Sequence, residues 1–124
     1  MYNIEFYENS AGYSEIREFL DLLLHKAKTQ KEARIQYGQI ARCIQLLQEN
    51  GTDLPIEVVK HLEDGIWELR PGCNRVFFFY YADRTYVLLH HYRKKSRKTP
   101  AQEITRAKAE RKDYLSRGTK NELE

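Results

Sequence analysis

The spacing of the apolar residues changes twice along this chain, and these changes constrain its fold more than any other feature. Between residues 14 and 50 apolar side chains recur every three to four positions, the period of an amphipathic helix. Between residues 56 and 92 they alternate or gather in β-branched and aromatic runs, as strands do. From residue 99 the helical spacing returns. Helices and strands segregated in this way predict an α+β domain.

Two helices are predicted before residue 51. Ser14 can cap the first helix, and the polar run Lys26–Lys31 separates it from the second. Asn50 and Gly51 supply a signal that ends the second helix. Two amphipathic helices with a short connection predict an antiparallel hairpin that covers a sheet.

Strands account for the middle of the chain. Tyr2–Phe6 alternates apolar and polar residues, and Pro55–Val59 is extended in character. Three further runs lie at hairpin spacing and predict a small antiparallel meander: Ile66–Arg70, Arg75–Tyr81 and Thr85–Tyr92. The first strand is expected to join the same sheet, at an edge or in the middle.

The last helix has the clearest predicted start. Thr99, Pro100 and Gln102 stand in the arrangement of a capping box, and Gly118 is the predicted end. The predicted order is β-αα-βββ-α, in one domain over residues 1–118 with a flexible tail at 119–124.

Composition limits the setting in which this domain works. No apolar run approaches the ~18 residues that span a bilayer, and residues 1–8 lack the basic and apolar regions of a secretory signal. Cys43 and Cys73 have no metal-site spacing. The sequence therefore predicts a cytoplasmic protein without membrane contact, bound metal or cofactor.

Charge is distributed unevenly within a formal net charge of +3. Residues 1–83 contain 9 Lys and Arg and 13 Asp and Glu, whereas residues 84–124 contain 12 and 5. The two parts therefore carry −4 and +7, which sum to +3. A basic end on a small domain favours a polyanionic partner, and nucleic acid is the first candidate.

The basic excess is concentrated between the last strand and the last helix. Five of the six residues in Arg93–Lys98 are basic, and this segment leads to a helix N-terminus. Cationic side chains and free helix amides both attract phosphate. The segment predicts phosphate contacts from Arg93, Arg97 and Lys98, with Lys94 and Lys95 beside them.

Strand parity predicts a second part of this surface. Arg75 shares a face with Phe77 and Phe79, and His90 shares a face with Tyr92. If helices cover only one face of the sheet, the other face is basic and carries aromatic rings on which bases can stack. For Phe77 and Phe79 core packing is the stronger interpretation.

Such a surface supports metal-free RNA cleavage better than metal-dependent hydrolysis. No metal-ligand motif is present, and no paired carboxylates lie at metal-ligand spacing within the basic region. In metal-free cleavage a 2′-hydroxyl attacks the neighbouring phosphate, which requires a proton acceptor, a proton donor and cations. His90 is a candidate for proton transfer because histidine ordinarily titrates near neutrality.

The order of these motifs resembles the RelE/ParE-type toxins of bacterial toxin–antitoxin modules, and within them the HigB-like, phage-derived branch. The resemblance covers nearly the whole chain. It is carried by Lys60–Arg70, Arg75–Phe79, Leu88–His90, Lys94–Lys95, Lys98–Pro100, Glu103–Ile104, Ala107 and Asp113–Leu115.

The resemblance implies a metal-independent endonuclease that cuts mRNA in the ribosomal A site. It also implies a cognate antitoxin, usually a small HigA-like helix-turn-helix protein, and contact with operator DNA only through the complex with that antitoxin.

The resemblance also assigns site residues. Arg75 corresponds to a strand arginine that contacts the scissile phosphate, Lys94 or Lys95 to the basic residue after the last strand, and Arg70 to a further basic strand position. The tyrosine that some relatives carry at the start of the last helix is replaced here by Thr99-Pro100. His90, Tyr92 or a lysine can therefore be the proton-transfer residue.

Two other functions are compatible with the same residues. A ParE-like protein would inhibit DNA gyrase through surface contacts. A non-catalytic RNA-binding module would bind RNA with strong salt dependence and leave transcripts intact.

Overall fold

The computed structural model describes residues 1–123, with side chains as far as Arg117. The helices and strands follow one another as β1 (Asn3–Phe6), α1 (Glu15–Lys26), α2 (Lys31–Asn50), β2 (Val59–Glu63), β3 (Ile66–Leu69), β4 (Asn74–Ala82), β5 (Thr85–Arg93) and α3 (Ala101–Leu123). The predicted α+β class is confirmed. No helix among the described residues is both long enough and apolar enough to cross a bilayer.

The helical hairpin forms as the sequence predicts. The Ser14 hydroxyl accepts a hydrogen bond from the Arg17 amide at 3.2 Å and so caps α1. At the end of α2, Gly51 has a positive φ of 61°, and a Cβ at this position would lie 2.9 Å from the Tyr2 ring. Glycine is therefore required here both for the turn and for the close approach of β1.

The sheet differs from the predicted one in two respects. Its five strands lie in the order β1-β5-β4-β3-β2, so β2 is one strand more than the predicted meander contained. In addition β1 pairs parallel to β5, which makes the sheet mixed and not antiparallel. The predicted extended segment Pro55–Val59 shares only Val59 with β2, and residues 56–58 form a turn. The rest of β2 was not predicted, because its exposed side chains give a weak alternation.

Both faces of the sheet are covered, so the predicted open face with stacked aromatics is wrong. The hairpin packs on one face against Leu69, Val76 and Phe78. On the other face α3 packs through Ala107 against Phe77 and Phe79. Consecutive phenylalanines on β4 direct apolar rings to both faces, and each face must then be buried.

Salt bridges and hydrogen bonds fix α3 across the sheet. Arg106 pairs with Glu15 at the start of α1, and Lys108 lies 2.9 Å from the Asp64 carboxylate in the β2–β3 turn. The interactions with His91 and Arg106 lower the pKa of Glu15 to about 2. These contacts tie α3 to the start of α1 and to the β2–β3 turn.

The predicted ends of α3 require correction. The helix continues to Leu123 and does not end at Gly118, since one interior glycine costs only about 1 kcal/mol. The predicted tail at 119–124 thus has helical backbone through Leu123, whereas its side chains and Glu124 lie outside the described residues. At the other end the Thr99 hydroxyl donates to Glu68 and does not cap the helix.

Candidate functional site

A β-bulge near the end of β5 determines which side chains face α3. Val76 pairs with His91 and Phe78 with Leu88, so β5 has one extra residue over this interval. The bulge turns His90 to the same face as Leu89. Beyond it His91 turns to α1, where its ring stacks on Phe19 with centroids 3.8 Å apart.

A buried carboxylate organises the two strand arginines. Glu68 is 2% exposed and accepts a hydrogen bond from the Thr99 hydroxyl at 3.1 Å. One of its oxygens lies 3.7 Å from Nε of Arg70 and 4.0 Å from Nε of Arg75. A buried carboxylate between two guanidinium groups balances charge that would otherwise be costly in the interior.

The two arginines differ in what they can offer to a ligand. Arg75 is 6% exposed, and its Nη1 donates to the carbonyl oxygens of Gly72 and Asn74, both at 2.8 Å. The Arg70 side chain is 21% exposed, and its Nη1 donates to the carbonyl of Ile56 at 3.0 Å. Arg70 is thus more open to solvent, and Arg75 is largely engaged by the protein.

Tyr92 connects this cluster with the basic segment, Arg93–Lys98. It is the register partner of Arg75, and its ring stacks on Phe77 at 5.5 Å with an interplanar angle of 14°. Burial raises the pKa of the Tyr92 phenol, and the charges of Glu68 and Glu103 raise it further, against the lowering effects of Thr99 and Arg75. The phenol is therefore protonated at neutral pH and can donate a proton.

A pocket opens between Tyr92, the basic segment and the start of α3. This basic-loop pocket has a volume of about 350 Å³, which is within the range of small-molecule sites. It is lined by a phenol, a carboxylate, two cations and smaller groups: Tyr92, Glu103, Arg93, Lys95, Ser96, Pro100 and Gln102. A proton donor, a proton acceptor and positive charge thus surround one cavity.

His90 lies behind this pocket and not in it. The ring is completely buried, and Nδ1 lies 2.6 Å from the Glu110 carboxylate, to which it donates. Nε2 lies 3.4 Å from Oε1 of Glu103 and makes no hydrogen bond. Through its contact with Glu110, His90 fixes α3 against β5.

The structure brings some of the predicted site residues together and separates others. Tyr92, Arg93 and Lys95 line the basic-loop pocket. Arg75 is the register partner of Tyr92, and Arg70 joins Arg75 because both pair with Glu68. Three other predicted cations are exposed but lie outside this pocket: Lys94, Arg97 and Lys98. Their contacts with RNA, like those of the other site residues, stay predictions.

Sequence reasoning missed the acidic members of the site. Glu68 was included only within the motif Lys60–Arg70, and its burial between two arginines follows only from the packing of the folded chain. Glu103 was noticed only as part of a family motif. A carboxylate four residues after Thr99, in an otherwise basic region, was the available signal. The described residues contain no group of three or more His, Cys, Asp or Glu side chains that could hold a metal ion.

Replacement of His90 tests its supporting position. His90→Leu removes the partner of two half-buried carboxylates, so we expect the free energy of unfolding to fall by about 1–3 kcal/mol. His90→Asn can still donate to Glu110 and should recover part of that loss. Urea denaturation measures both values. Unchanged stability of His90→Leu would contradict the supporting position.

The sequence model of the family described as "Phage derived protein Gp49-like" matches residues 27–112. Among solved structures, a chain of the YoeB-YefM complex from Staphylococcus aureus is similar with 13% sequence identity and a TM-score of 0.49, over 77% of this chain and 99% of that chain. None of the curated proteins compared with the sequence matches it significantly.

Proposed function

This chain belongs to the phage-derived Gp49-like family of RelE-type toxins, and we propose that it is a metal-independent endoribonuclease that cuts mRNA on the ribosome. The resemblance read from the sequence is confirmed at the level of the RelE type. As such a toxin the chain is one component of a toxin–antitoxin module. The HigB-like branch, the ribosomal target and the catalytic activity belong to the proposal.

The proposal extends to the partners of the toxin. The antitoxin is expected to be a HigA-like helix-turn-helix protein, which would recruit the pair to operator DNA. The net charge of +7 over residues 84–124 would favour binding of an acidic antitoxin segment.

The observation that carries the proposal is the composition of the basic-loop pocket. Glu103 supplies a carboxylate, Tyr92 supplies a protonated phenol, and Lys95 supplies positive charge, whereas the Arg93 guanidinium lies 4.0 Å from the Glu32 carboxylate on α2. These are the groups that metal-free transfer of a ribose phosphodiester requires. A loop with a purely structural role does not require a half-buried phenol and a carboxylate in the same cavity.

The reaction assigns one role to each group. The Glu103 carboxylate accepts the proton of the 2′-hydroxyl while the 2′-oxygen forms a bond to phosphorus. The bond between phosphorus and the 5′-oxygen breaks, and Tyr92 donates its proton to that leaving oxygen. Lys95 stabilises the extra negative charge of the phosphorane. The products are a 2′,3′-cyclic phosphate and a 5′-hydroxyl.

The strand cluster, which consists of Glu68, Arg70 and Arg75, supports this chemistry from the interior side of the site. Glu68 orients the Arg70 guanidinium, whose exposed end can contact an incoming phosphate. Arg75 neutralises Glu68 and lies opposite Tyr92 in the sheet. His90 lies behind Glu103, with Nε2 3.4 Å from its carboxylate.

Replacement of Glu103 tests the proposed base. Because a 2′-hydroxyl can also lose its proton to solvent, Glu103→Gln should lower cleavage at the lower end of the range for general bases, about 100-fold. Cleavage is measured as the rate at which new 5′ ends arise within the reading frame of an mRNA on purified translating ribosomes. Glu18→Gln, an exposed carboxylate on α1, is the matched control and should cleave at the normal rate.

The same experiment separates the alternative functions. Intact mRNA with wild-type protein would exclude the endonuclease, and DNA breaks in induced cells would then favour gyrase inhibition. Intact mRNA together with salt-dependent RNA binding would favour the non-catalytic module. Full cleavage by Glu103→Gln would retain the endonuclease but reject Glu103 as its base.

A further inference from the structure

We propose that a second pocket, on the far side of the basic segment, binds the sugar-phosphate backbone of the nucleotide next to the one that is cut. This β2 pocket lies between strand β2 and the start of α3, and its walls include Lys60, Leu62, Arg97, Lys98, Thr99 and Ile104. The inference rests on the proposed function for the identity of the ligand as RNA. It adds a contact surface that neither the strand cluster nor the basic-loop pocket contains.

Unpaired positive charge marks this pocket. Lys60, Arg97 and Lys98 are exposed, and within the described residues none of the three side chains has an ion pair or hydrogen bond. By contrast Lys108, farther along α3, is neutralised by Glu63 and Asp64. Cations gathered without acidic partners repel one another, and a phosphate would relieve that repulsion.

The position of Lys60 in the sheet connects the pocket with the strand cluster. Lys60 is the register partner of Glu68, so both side chains lie on the α3 face of the sheet. The Glu68 carboxylate is already engaged by Arg70, Arg75 and Thr99, which leaves Lys60 available to a ligand.

Thr99 forms a wall common to both sites. It lines the β2 pocket, and its hydroxyl donates to Glu68 in the strand cluster. An RNA strand with one phosphate at the strand cluster can therefore continue into the β2 pocket without leaving the protein surface. The edge position of β2 keeps this path open at the side of the sheet.

The size of the pocket determines what part of a nucleotide it accepts. Its volume is about 190 Å³, below the ~300 Å³ at which small-molecule sites begin. A volume of this size is sufficient for a phosphate and its ribose. Leu62 and Ile104, both half-buried, supply apolar surface for the sugar carbons. The pocket is thus suited to backbone contact without base selection.

The test measures RNA binding in the absence of cleavage. The full-length protein is titrated with fluorescent single-stranded RNAs of two and six nucleotides, fully 2′-O-methylated so that no 2′-hydroxyl can attack. We expect Lys60→Ala to weaken binding of the six-nucleotide RNA roughly tenfold. The slope of log K against log salt concentration should fall by about 0.7, the value for one lost phosphate contact on a single strand. The dinucleotide should bind as before.

Control variants make the result specific. Lys112→Ala removes an exposed lysine of α3 that is not part of either pocket. It should change neither the affinity for the dinucleotide nor that for the six-nucleotide RNA. Lys98→Ala provides a second removal from the β2 pocket and should repeat the result of Lys60→Ala. An unchanged affinity and slope in both pocket variants would overturn the proposal.

Two further outcomes separate this inference from others. If Lys60→Ala weakens a polyglutamate peptide of equal charge as strongly as RNA, the pocket binds acidic chains in general and the assignment to RNA is wrong. If wild-type protein leaves mRNA intact on ribosomes but the salt slope falls as expected, the proposed endonuclease fails while the RNA-backbone site stands.

Discussion

Replacing Tyr92 with phenylalanine should lower RNA cleavage by about 10⁴-fold, the upper end of the range for a general acid. The 5′-oxygen leaves as an unstabilised alkoxide unless it is protonated, so loss of the donor affects the harder proton transfer. Phenylalanine preserves the stacking on Phe77, which involves only the ring. RNA affinity and the free energy of unfolding should therefore change little.

The matched control for this variant is Tyr13→Phe. Tyr13 is half-exposed in the connection before α1, and its loss of a hydroxyl should leave cleavage unchanged. Cleavage is followed in single-turnover reactions on translating ribosomes with enzyme in excess. A Tyr92→Phe protein that retains more than about a tenth of the activity would transfer the acid role to Lys94 or Lys95.

A modified substrate distinguishes an acid from a residue that merely shapes the pocket. If sulfur replaces the 5′-oxygen at the cut site, the leaving thiolate needs no proton. Tyr92→Phe should cleave that RNA at nearly the wild-type rate, whereas a variant with a distorted pocket would remain slow. The pH dependence gives a second criterion. Because burial raises the pKa of Tyr92, its proton is retained through neutral pH and is lost only above the raised pKa.

The fold could be predicted to the extent that periodicity is a local property. The helical stripes and the β-rich middle gave the α+β class, the hairpin and the end of α2 at Gly51. The parallel pairing of β1 with β5 could not be predicted, because the sequence does not show which strand β1 pairs with or in which direction. The burial of Phe77 and Phe79 was predicted as core packing, but the assumption of one open face left out that α3 is the element that covers them.

The candidate site shows a similar division between local and long-range information. A run of cations is visible in any sequence, and the basic segment was found in its correct place after β5. The β-bulge that turns His90 inward is not visible, since strand parity assumes an unbroken period of two. The acidic groups were missed for a related reason. Glu68 and Glu103 acquire their roles from cations and a phenol that are distant in sequence.

Removal of the Glu68 carboxylate should strongly destabilise this protein. Glu68→Ala leaves the buried Arg75 guanidinium without its counter-charge and the Thr99 hydroxyl without its acceptor. Breaking a buried ion pair on one side costs about 3–5 kcal/mol, which is a large part of the 5–15 kcal/mol that stabilises an ordinary domain. Urea denaturation followed by circular dichroism measures the difference. Glu57→Ala, an exposed carboxylate just before β2, should change stability by no more than about 0.5 kcal/mol.

A double variant separates the uncompensated charge from the lost volume. In Glu68→Leu/Arg75→Met both buried charges are replaced by apolar side chains, and such replacements are often neutral or stabilising. We expect this protein to recover most of the stability that Glu68→Ala loses, because no buried guanidinium is left without its counter-charge. It should nevertheless be inactive in RNA cleavage, because the Arg70 guanidinium is no longer oriented by Glu68. A double variant as unstable as Glu68→Ala would show that packing around β3, and not the buried charge, sets the cost.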